Sequence, residues 1–396
     1  MTLSRRNFLA ASGVAVAATI IKPESVVGAP ANSVLRYGLI GCGGRGGFMT
    51  DVFKQNPNYK IVAATDYFEG RAKGIGAKFE LPEDRVFSAL SGYKRLLDCD
   101  DVDVAAIMTP PGFHPTEAAA AVDAGKHVYL SKPIAVDVPG TVSIGDSAKK
   151  ATAKNLAFIV DFQTRACPLF REALKRVHDG DIGRVFNVRA YYPWAVGVHN
   201  NPVNNPDEYL ASWYQSIELS GDCIVEQDVH TLDVATWILG ADPIKAVGTC
   251  GRTARQYGNI NDHFEVTYTF PGDAVVQFSS AKFIPGVRDE ITTWAWGTGG
   301  VLETNYMGDV YIRGNKPYDG GSVGNLYWSG AVTNAKEFYE AIVAEDFSNP
   351  TAAPSVRTNL TAILGRTAAR SGKELTWDAM LAANEKLEIK WEGLKK

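Results

Sequence analysis

Short, mostly apolar runs alternate with longer mixed stretches through the first half of the chain. Such runs, bounded by turn residues, are typical of strands buried on both faces, and the stretches between them are long enough for helices. The predicted strands are residues 34–40, 59–65, 102–108 and 127–130, and residues 115–124 are predicted to form a helix. Strands that alternate with helices through about residue 155 predict a doubly wound parallel sheet.

Beyond about residue 156 the pattern changes, and apolar and polar residues alternate one by one. Residues 185–192, 263–270 and 274–278 show this alternation. It predicts strands with one buried face, in a mostly antiparallel open sheet with helices on one side. Helices are expected at residues 331–344 and 355–371.

These patterns divide most of the chain into two predicted domains. We expect an α/β domain with a doubly wound parallel sheet over residues 34–155. An α+β domain is expected over residues 156–396. Both are long enough to bury a core of their own.

The first 31 residues differ from the rest. Residues 4–9 read S-R-R-N-F-L, and no charged side chain follows Arg6 until Lys22. The uncharged run is shorter than the roughly 20 residues of a spanning helix, and small residues precede a candidate cleavage site after Ala31. The segment resembles a twin-arginine export signal, so we expect a periplasmic mature protein. The alternative is an amphipathic or buried N-terminal helix. No later segment is predicted to cross a membrane.

The overall charge and the cysteines argue against other classes of protein. A net charge of −4 argues against a general nucleic-acid binder. The five cysteines are scattered, form no C-x-x-C pair and are odd in number, which predicts free thiols without a disulfide framework or structural zinc. They are Cys42, Cys99, Cys167, Cys223 and Cys250.

A glycine-rich turn follows the first predicted strand. It reads G-C-G-G-R-G from Gly41 to Gly46, and a helix-like stretch follows at residues 48–55. This is the G-x-G-x-x-G motif in its strand–turn–helix context. Gly41 would permit the tight turn, Gly43 would let the backbone approach a pyrophosphate, and Gly46 would let helix and strand pack closely. We therefore expect a Rossmann-type dinucleotide site, which Gly44 and Arg45 also line.

An aspartate ends the second predicted strand. Asp66 lies twenty residues beyond Gly46, where a carboxylate can bind the adenosine ribose 2′-hydroxyl and would repel a 2′-phosphate. NAD is therefore favoured over NADP, although Arg71 is near in sequence. The alternative role for Asp66 is a helix N-cap.

Five short motifs resemble those of one enzyme family. They read M-T-P-P-G-F-H at residues 108–114, A-G-K-H-V at 124–128, S-K-P at 131–133, D-F-Q-T-R at 161–165 and G-D-I-G-R-V at 180–185. Together they resemble the glucose–fructose oxidoreductase and inositol dehydrogenase family, usually called Gfo/Idh/MocA. The similarity covers nearly the whole mature chain.

The most specific motif of the second domain reads G-D-C-I-V-E-Q-D-V-H-T-L-D at residues 221–233. The family carries a carboxylate four residues before a histidine and an aspartate three residues after it. Those positions hold Glu226, His230 and Asp233. We expect residues 225–239 to form one helix with all three side chains on one face.

The resemblance implies an NAD-dependent oxidoreductase that moves a hydride between NAD and a hydroxyl or keto group of a sugar, polyol or glycoside. Lys132 would hold the reacting oxygen, His230 would take its proton, and Glu226 would orient His230 or bind a neighbouring hydroxyl. Ser131 and Glu226 differ from the family's glutamate and aspartate, so the substrate stays open. The resemblance also implies that the domain at residues 156–396 binds the substrate and makes subunit contacts through the open face of its sheet, so a homo-oligomer, either a dimer or a tetramer, is expected.

Further residues are expected around these groups. The other members of the cofactor site, which also includes Lys132, are Thr109, Pro110 and His114. The aromatic and amide-rich stretch of residues 191–214 suits a sugar, or it is a packed loop. The candidates for substrate contact are Arg165, Tyr192, Trp213 and Asp233.

Three other interpretations stay open. Some members of this family use NAD transiently and cleave a glycosidic bond with no net redox change. A nucleotide-binding sensor without turnover is a second alternative, which Lys132 and His230 count against. Glu226 and His230 could instead ligate a metal, but no third ligand is evident in the sequence.

Overall fold

The computed structural model describes Val34–Lys396. The predicted export signal lies outside the described residues. Within them, none of the helices is both long and apolar enough to span a membrane.

The first sheet of the described residues has six parallel strands in the order β3-β2-β1-β4-β5-β6. These strands are β1 Leu35–Ile40, β2 Tyr59–Asp66, β3 Val86–Ser88, β4 Val104–Ile107, β5 His127–Ser131 and β6 Phe158–Asp161. The helices between them are α1 Gly44–Phe53, α2 Glu69–Lys78, α3 Gly92–Leu97, α4 His114–Asp123 and α5 Val138–Ala153. The predicted doubly wound parallel sheet is confirmed. Its last strand lies beyond residue 155, and the domain boundary itself stays a prediction.

The second sheet of the described residues has nine strands in the order β14-β13-β12-β11-β7-β10-β9-β8-β15. They are β7 Val185–Trp194, β8 Lys245–Gly251, β9 His263–Thr269, β10 Val275–Lys282, β11 Thr292–Gly297, β12 Gly300–Asn305, β13 Asp309–Gly314, β14 Tyr318–Ser322 and β15 Leu375–Thr376. Strands β7 and β10 pair in parallel, and the other pairs are antiparallel. The predicted, mostly antiparallel sheet is therefore confirmed.

Nine α-helices of the described residues belong to this half of the chain. They are α6 Gln163–Ala166, α7 Pro168–His178, α8 Pro206–Ala211, α9 Ile217–Ser220, α10 Cys223–Glu226, α11 Val229–Leu239, α12 Leu326–Val343, α13 Ala352–Ser371 and α14 Trp377–Ala383. Helices α12 and α13 match the two helices predicted near the end of the chain.

Helix α12 packs against the first sheet, although it comes late in the sequence. Phe338 lies edge-on to Tyr129 of β5, with ring centroids 5.5 Å apart. Trp328 lies edge-on to Phe48 of α1 at 5.6 Å. The parallel sheet therefore buries its apolar face partly against a helix that its own segment does not supply.

Helix α13 ties together two segments that carry candidate site residues. The buried guanidinium of Arg366 donates to the carbonyl oxygens of Val136 and Gly221, at 2.6 and 3.0 Å. The first carbonyl follows the Lys132 turn, and the second precedes α10. A buried guanidinium between two carbonyls fixes the spacing of the segments, because moving either one would leave a buried donor unpaired.

The predicted single helix over residues 225–239 is wrong. Helix α10 ends at Glu226 and α11 begins at Val229, because the N–H of Asp228 donates to the carbonyl of Cys223, five residues back. The two intervening side chains have partners outside the helix. Tyr214 donates its hydroxyl to Gln227, and Lys282 donates to Asp228, each at 2.5 Å.

Candidate active site

The glycine turn has the shape that a dinucleotide requires. Gly41 adopts φ +94°, and a Cβ there would come within 2.8 Å of the backbone of Met108. A Cβ on Gly46 would overlap the carbonyl oxygen of Gly41, whereas Gly44 has open space around it. Helix α1 begins at Gly44, earlier than the predicted residue 48. The helix N-terminus therefore lies within the turn, where its free N–H groups can bind phosphate.

The Asp66 carboxylate is held by backbone amides. Its two oxygens accept hydrogen bonds from the N–H groups of Cys42 and Phe68, at 2.8 and 2.9 Å. Burial raises its pKa. The N-cap of α2 is Phe68, so Asp66 does not cap that helix. Each carboxylate oxygen can accept a second hydrogen bond, which leaves Asp66 able to bind a ribose hydroxyl.

A cavity of about 600 Å³ runs along the glycine turn. Gly41, Gly43, Gly44, Arg45, Asp66, Thr109 and Pro110 are the predicted cofactor residues that line it. We call it the cofactor cleft. The structure places His114 outside this lining, with its ring nitrogens 2.9 and 2.7 Å from the carbonyl oxygens of Pro133 and Thr109. His114 therefore supports the wall of the cleft from behind.

A second cavity, of about 660 Å³, adjoins the first and contains the predicted catalytic residues. We call it the substrate cleft. Arg45, Met108, Thr109 and Trp213 line both cavities. Lys132, Glu226 and His230 all line the second one. Residues predicted from motifs nearly a hundred positions apart therefore converge in one place.

Lys132 and Glu226 contact each other in the substrate cleft. The Lys132 ammonium donates to the carbonyl oxygen of Glu226 at 2.6 Å and lies 3.6 Å from its carboxylate oxygen Oε1. An ammonium has three N–H donors. The carbonyl of Glu226 accepts one of these hydrogen bonds, and the other N–H groups remain for an oxygen of a bound molecule.

His230 is buried in an aromatic setting. Its ring lies edge-on to Phe162 at 6.0 Å and tilted against Tyr306 at 5.4 Å. Among the described residues, Nδ1 has no hydrogen-bond partner and is enclosed, which leaves Nε2 as the ring nitrogen open to the cleft. Burial, and secondarily the charge of Lys132, lowers the pKa of His230 well below its usual value. The ring is therefore neutral near pH 7 and able to accept a proton.

Arg45 lies where the two cavities meet. Its guanidinium pairs with the fully buried carboxylate of Asp161. The same group stacks on the rings of Phe48 and Tyr327, 4.8 and 5.1 Å from their centroids. Arg45 thus borders the cofactor cleft, as expected, and in addition forms part of the substrate cleft.

Two of the four candidates for substrate contact line the substrate cleft, and two do not. Tyr192 and Trp213 line it. Arg165 instead forms an ion pair at 2.8 Å with the buried Asp233, and the hydroxyl of Thr358 donates to the same carboxylate at 2.9 Å. The i+7 spacing from Glu226 does not bring Asp233 into the cleft, because the helix is interrupted between them.

A buried ion pair next to the cleft was not predicted. The Lys282 ammonium donates to Asp228 at 2.5 Å and to the carbonyl of Tyr192 at 3.0 Å, and it lies 3.8 Å from the centre of the Tyr192 ring. Ser280 donates to the other oxygen of Asp228. The motif contains Asp228, but no sequence signal points to a lysine 54 positions later.

Other polar and aromatic residues of the substrate cleft were also missed. They come from separate segments and are Asp161, Gln163, Asn325, Tyr306 and Tyr327. Trp194 also lines the cleft and belongs to the stretch of residues 191–214 that was expected to contact a sugar. Among residues 34–396, no group of three or more His, Cys, Asp or Glu side chains could hold a metal ion.

Comparison with known proteins places both halves of the chain in one family. Residues 35–159 match a family model described as an oxidoreductase family with an NAD-binding Rossmann fold, GFO_IDH_MocA. Residues 170–303 match the GFO/IDH/MocA C-terminal domain. The predictions of this family, of NAD as cofactor and of the oxidoreductase class are confirmed.

Two curated relatives illustrate the range of names in this family. The chain is 25% identical over 242 residues to levoglucosan dehydrogenase of Pseudarthrobacter phenanthrenivorans, an alignment that covers 55% of this chain and 59% of that protein. It is 29% identical over 213 residues to a glycosyl hydrolase family 109 protein of Shewanella baltica, covering 48% of this chain and 46% of the relative. The matches thus span about half of the relatives' length.

Solved structures share the fold over a larger part of the chain. An oxidoreductase domain protein from Kribbella flavida superposes with a TM-score of 0.72 at 20% identity, covering 87% of this chain and 99% of the other. At that identity the match concerns the fold alone. With both family models matched and the two-sheet architecture shared, the chain belongs to the Gfo/Idh/MocA oxidoreductase family.

Proposed function

We propose that this protein transfers a hydride between NAD and a hydroxyl or keto group of a sugar, polyol or glycoside. One observation carries the proposal: Lys132, Glu226 and His230 line a cleft that shares Arg45, Met108, Thr109 and Trp213 with the cofactor cleft. A molecule in the substrate cleft would therefore lie beside a dinucleotide bound along the glycine turn.

The residues of the cofactor cleft fit NAD. The helix N-terminus at Gly44 would bind the pyrophosphate, and Asp66 would accept hydrogen bonds from the adenosine ribose. Gly41 and Gly46 have no room for a side chain, which keeps the turn close to the cofactor. Bound NAD would supply the hydride acceptor, and the chain's own residues supply position and proton transfer.

His230 is the proposed general base. When a hydroxyl-bearing carbon is oxidised, its hydride leaves with the C–H electron pair and the hydroxyl proton must be removed. A neutral imidazole with Nε2 open to the cleft can take that proton. In the reverse direction the resulting imidazolium returns the proton to the alkoxide oxygen.

Lys132 is the proposed electrostatic stabiliser. Negative charge develops on the reacting oxygen as its proton leaves, and a fixed ammonium lowers the free energy of that state. Glu226 holds the ammonium through its backbone carbonyl and its carboxylate. Glu226 is thus a positioning residue for Lys132, whereas it had been expected to orient His230 or to bind a neighbouring hydroxyl.

The rest of the substrate cleft supports a carbohydrate. Trp194, Trp213 and Tyr192 supply aromatic faces for C–H groups, while Gln163 and Asn325 supply amide donors and acceptors for hydroxyls. The two cations that line the cleft, Lys132 and Arg45, each have a carboxylate partner. That balance favours an uncharged sugar.

We further propose that the mature protein is exported, recycles its NAD in place and assembles as a dimer or tetramer. The S-R-R-N-F-L opening supports export, and free NAD is scarce outside the cytoplasm. Strand β9 alternates buried Phe264, Val266 and Tyr268 with exposed Glu265 and Thr267. A sheet face that residues 34–396 leave uncovered supports subunit contact.

A glycosidase with transient oxidation is the second candidate, which the relative named glycosyl hydrolase family 109 supports. Oxidation of a sugar hydroxyl to a ketone would make the neighbouring C–H acidic. Removal of that proton would then expel the aglycone. Water would then add, and the hydride would return to the sugar, so NAD would end as it began.

One experiment separates the two candidates. The purified protein is tested for co-purifying NAD and is incubated with candidate glycosides in deuterated water without added cofactor. Equal amounts of oxidised and reduced sugar support the oxidoreductase, whereas aglycone release with deuterium beside the oxidised carbon supports the glycosidase. A protein that purifies empty and consumes soluble NAD stoichiometrically would contradict recycling but not hydride transfer.

A further inference from the structure

Residues 385–396, called here the strap, follow helix α14 and reach the cofactor cleft. Trp391 and Lys396 line that cleft together with Asp66 and Arg71. The Trp391 ring is 5.8 Å from that of Phe113, another lining residue. The strap therefore forms one wall of the cleft at the end that holds the proposed ribose ligand.

The first part of the strap contacts three other segments of the chain. The N–H of Leu387 donates to the carboxylate of Asp137 at 2.8 Å. The Ile389 side chain lies beside Gly112, where an added Cβ would come within 3.3 Å of it. The Lys390 ammonium lies 3.4 Å from the mostly buried carboxylate of Glu218.

The far end of the strap joins the first half of the chain to α8. Leu394 is buried beside Tyr209, Leu210 and Leu219 in a small apolar cluster. Its neighbour Lys395 accepts a backbone hydrogen bond from Leu90 at 3.1 Å.

Lys395 also makes polar contacts on both sides. Its N–H donates to the hydroxyl of Tyr67 at 3.2 Å, and its ammonium donates to Asp207 at 2.7 Å. The Tyr67 hydroxyl donates to the same carboxylate at 2.5 Å. Because Tyr67 directly follows Asp66, this anchor is one peptide bond away from the proposed ribose ligand.

We propose that the strap completes the adenosine part of the NAD site and retards the release of the cofactor. The inference rests on the proposed use of NAD and explains how the cofactor could be retained. With Leu394 and Lys395 seated, Trp391 covers one side of the bound adenosine and removes its apolar surface from water. Release of the cofactor then requires the far end of the strap to move away from the cleft. That movement exposes the buried Leu394 side chain to water and breaks the hydrogen bonds among Tyr67, Asp207 and Lys395.

The test measures NADH release from the full chain. Wild type and variants are loaded with NADH and then mixed with excess NAD, which replaces each NADH that leaves. The fall in the fluorescence of protein-bound NADH is followed with time. Leu394→Asp should release NADH about tenfold faster or more, equivalent to about 1.4 kcal/mol. Trp391→Ala, at a half-exposed position, should release it several-fold faster. Glu392→Ala, on the same strap with an exposed side chain, should match wild type.

A second measurement separates the strap from a general loss of structure. ADP-ribose contains the adenosine half of the cofactor, and nicotinamide mononucleotide contains the other half. Trp391→Ala should weaken ADP-ribose binding and leave the affinity for nicotinamide mononucleotide unchanged. Equal weakening of both fragments would overturn the proposal.

The remaining outcomes distinguish the strap from the proposed function. If wild type binds NADH and all three variants release it at the wild-type rate, the strap has no role in retention and only this inference fails. If wild type binds neither NADH nor ADP-ribose, the proposed function fails together with it.

Discussion

The cofactor cleft and the substrate cleft hold their charged groups in different ways. In the first, Asp66 accepts hydrogen bonds from two backbone N–H groups, one of them 24 positions away. In the second, each cation contacts an acidic residue far away in the sequence. Lys132 contacts the backbone carbonyl and the carboxylate of Glu226, 94 positions apart, and Arg45 contacts the carboxylate of Asp161, 116 positions apart.

This difference decides how each cleft responds to a substitution. A carboxylate held by backbone amides keeps those partners whichever side chain is altered nearby. A side-chain ion pair loses its compensating charge when one member is removed, and where the remaining charge is buried, as at Asp161, it is left in a poor solvent. We therefore expect substitutions around the substrate cleft to affect stability as well as turnover, and those in the cofactor cleft to affect mainly specificity.

The largest effect is expected from the ion pair beside the substrate cleft. Lys282 and Asp228 are 1% and 0% exposed, so Lys282→Met leaves a buried carboxylate without its cation. The free energy of unfolding should fall by about 3–5 kcal/mol, measured by urea denaturation. The double variant Lys282→Met/Asp228→Leu should recover most of the loss, because no charge is then left unpaired.

A surface pair provides the matched control. Lys245 and Glu374 lie 2.7 Å apart, but their side chains are 39% and 53% exposed. Lys245→Met should change the free energy of unfolding by less than about 1 kcal/mol. Equal losses in Lys245→Met and Lys282→Met would contradict the distinction between buried and solvated pairs.

The next largest effect is expected on turnover. Lys132→Ala and His230→Ala should each lower kcat by about 10²–10³, the usual cost of losing one stabilising group in a transition state. NADH binding, measured by fluorescence, should persist in both variants, because the glycine turn and Asp66 are unchanged. A variant with nearly wild-type kcat would remove that residue from the mechanism.

The cofactor cleft should respond in specificity. Asp66→Ser removes the charge that would repel a 2′-phosphate, while Arg71, stacked on Phe68 at 4.4 Å, remains in the same cleft. NAD affinity should fall about tenfold, or about 1.4 kcal/mol, and NADP affinity should rise. The additional substitution Arg71→Ala should reverse the gain for NADP. Titration of both cofactors against the three proteins checks this, and an unchanged ratio would exclude Asp66 as the determinant.

The two clefts also differ in how well the sequence predicts them. The glycine turn and Asp66 were predictable because a strand, a turn and a helix follow one another along the chain, so spacing alone fixes their geometry. Lys132 and His230 were predictable through motifs. Lys282 was not, because its ammonium lies beside Tyr192 only through the pairing of β7 with β10, and beside Asp228 only through the packing of another segment. Asp233 was misplaced because side chains at 227 and 228 interrupt the helix.

The smallest expected effect separates the two causes of the lowered pKa of His230. Burial is the larger cause, and the Lys132 charge comes next. In Lys132→Met, titrated by NMR of the ring protons, the pKa of His230 should therefore rise but stay below the ordinary value near 6.5.

The pH dependence of stability gives a second measurement of the His230 pKa. Because the unfolded chain binds the proton first as the pH falls below about 6.5, the free energy of unfolding decreases from there down to the folded-state pKa. This loss of stability should be smaller in Lys132→Met than in wild type. The raised folded-state pKa of His230 shortens the pH range between the unfolded-state and folded-state pKa values, over which stability is lost. A pKa that returned fully to 6.5 would mean that charge, and not burial, controls this histidine, and the substrate cleft would then be far more hydrated than its aromatic surroundings indicate.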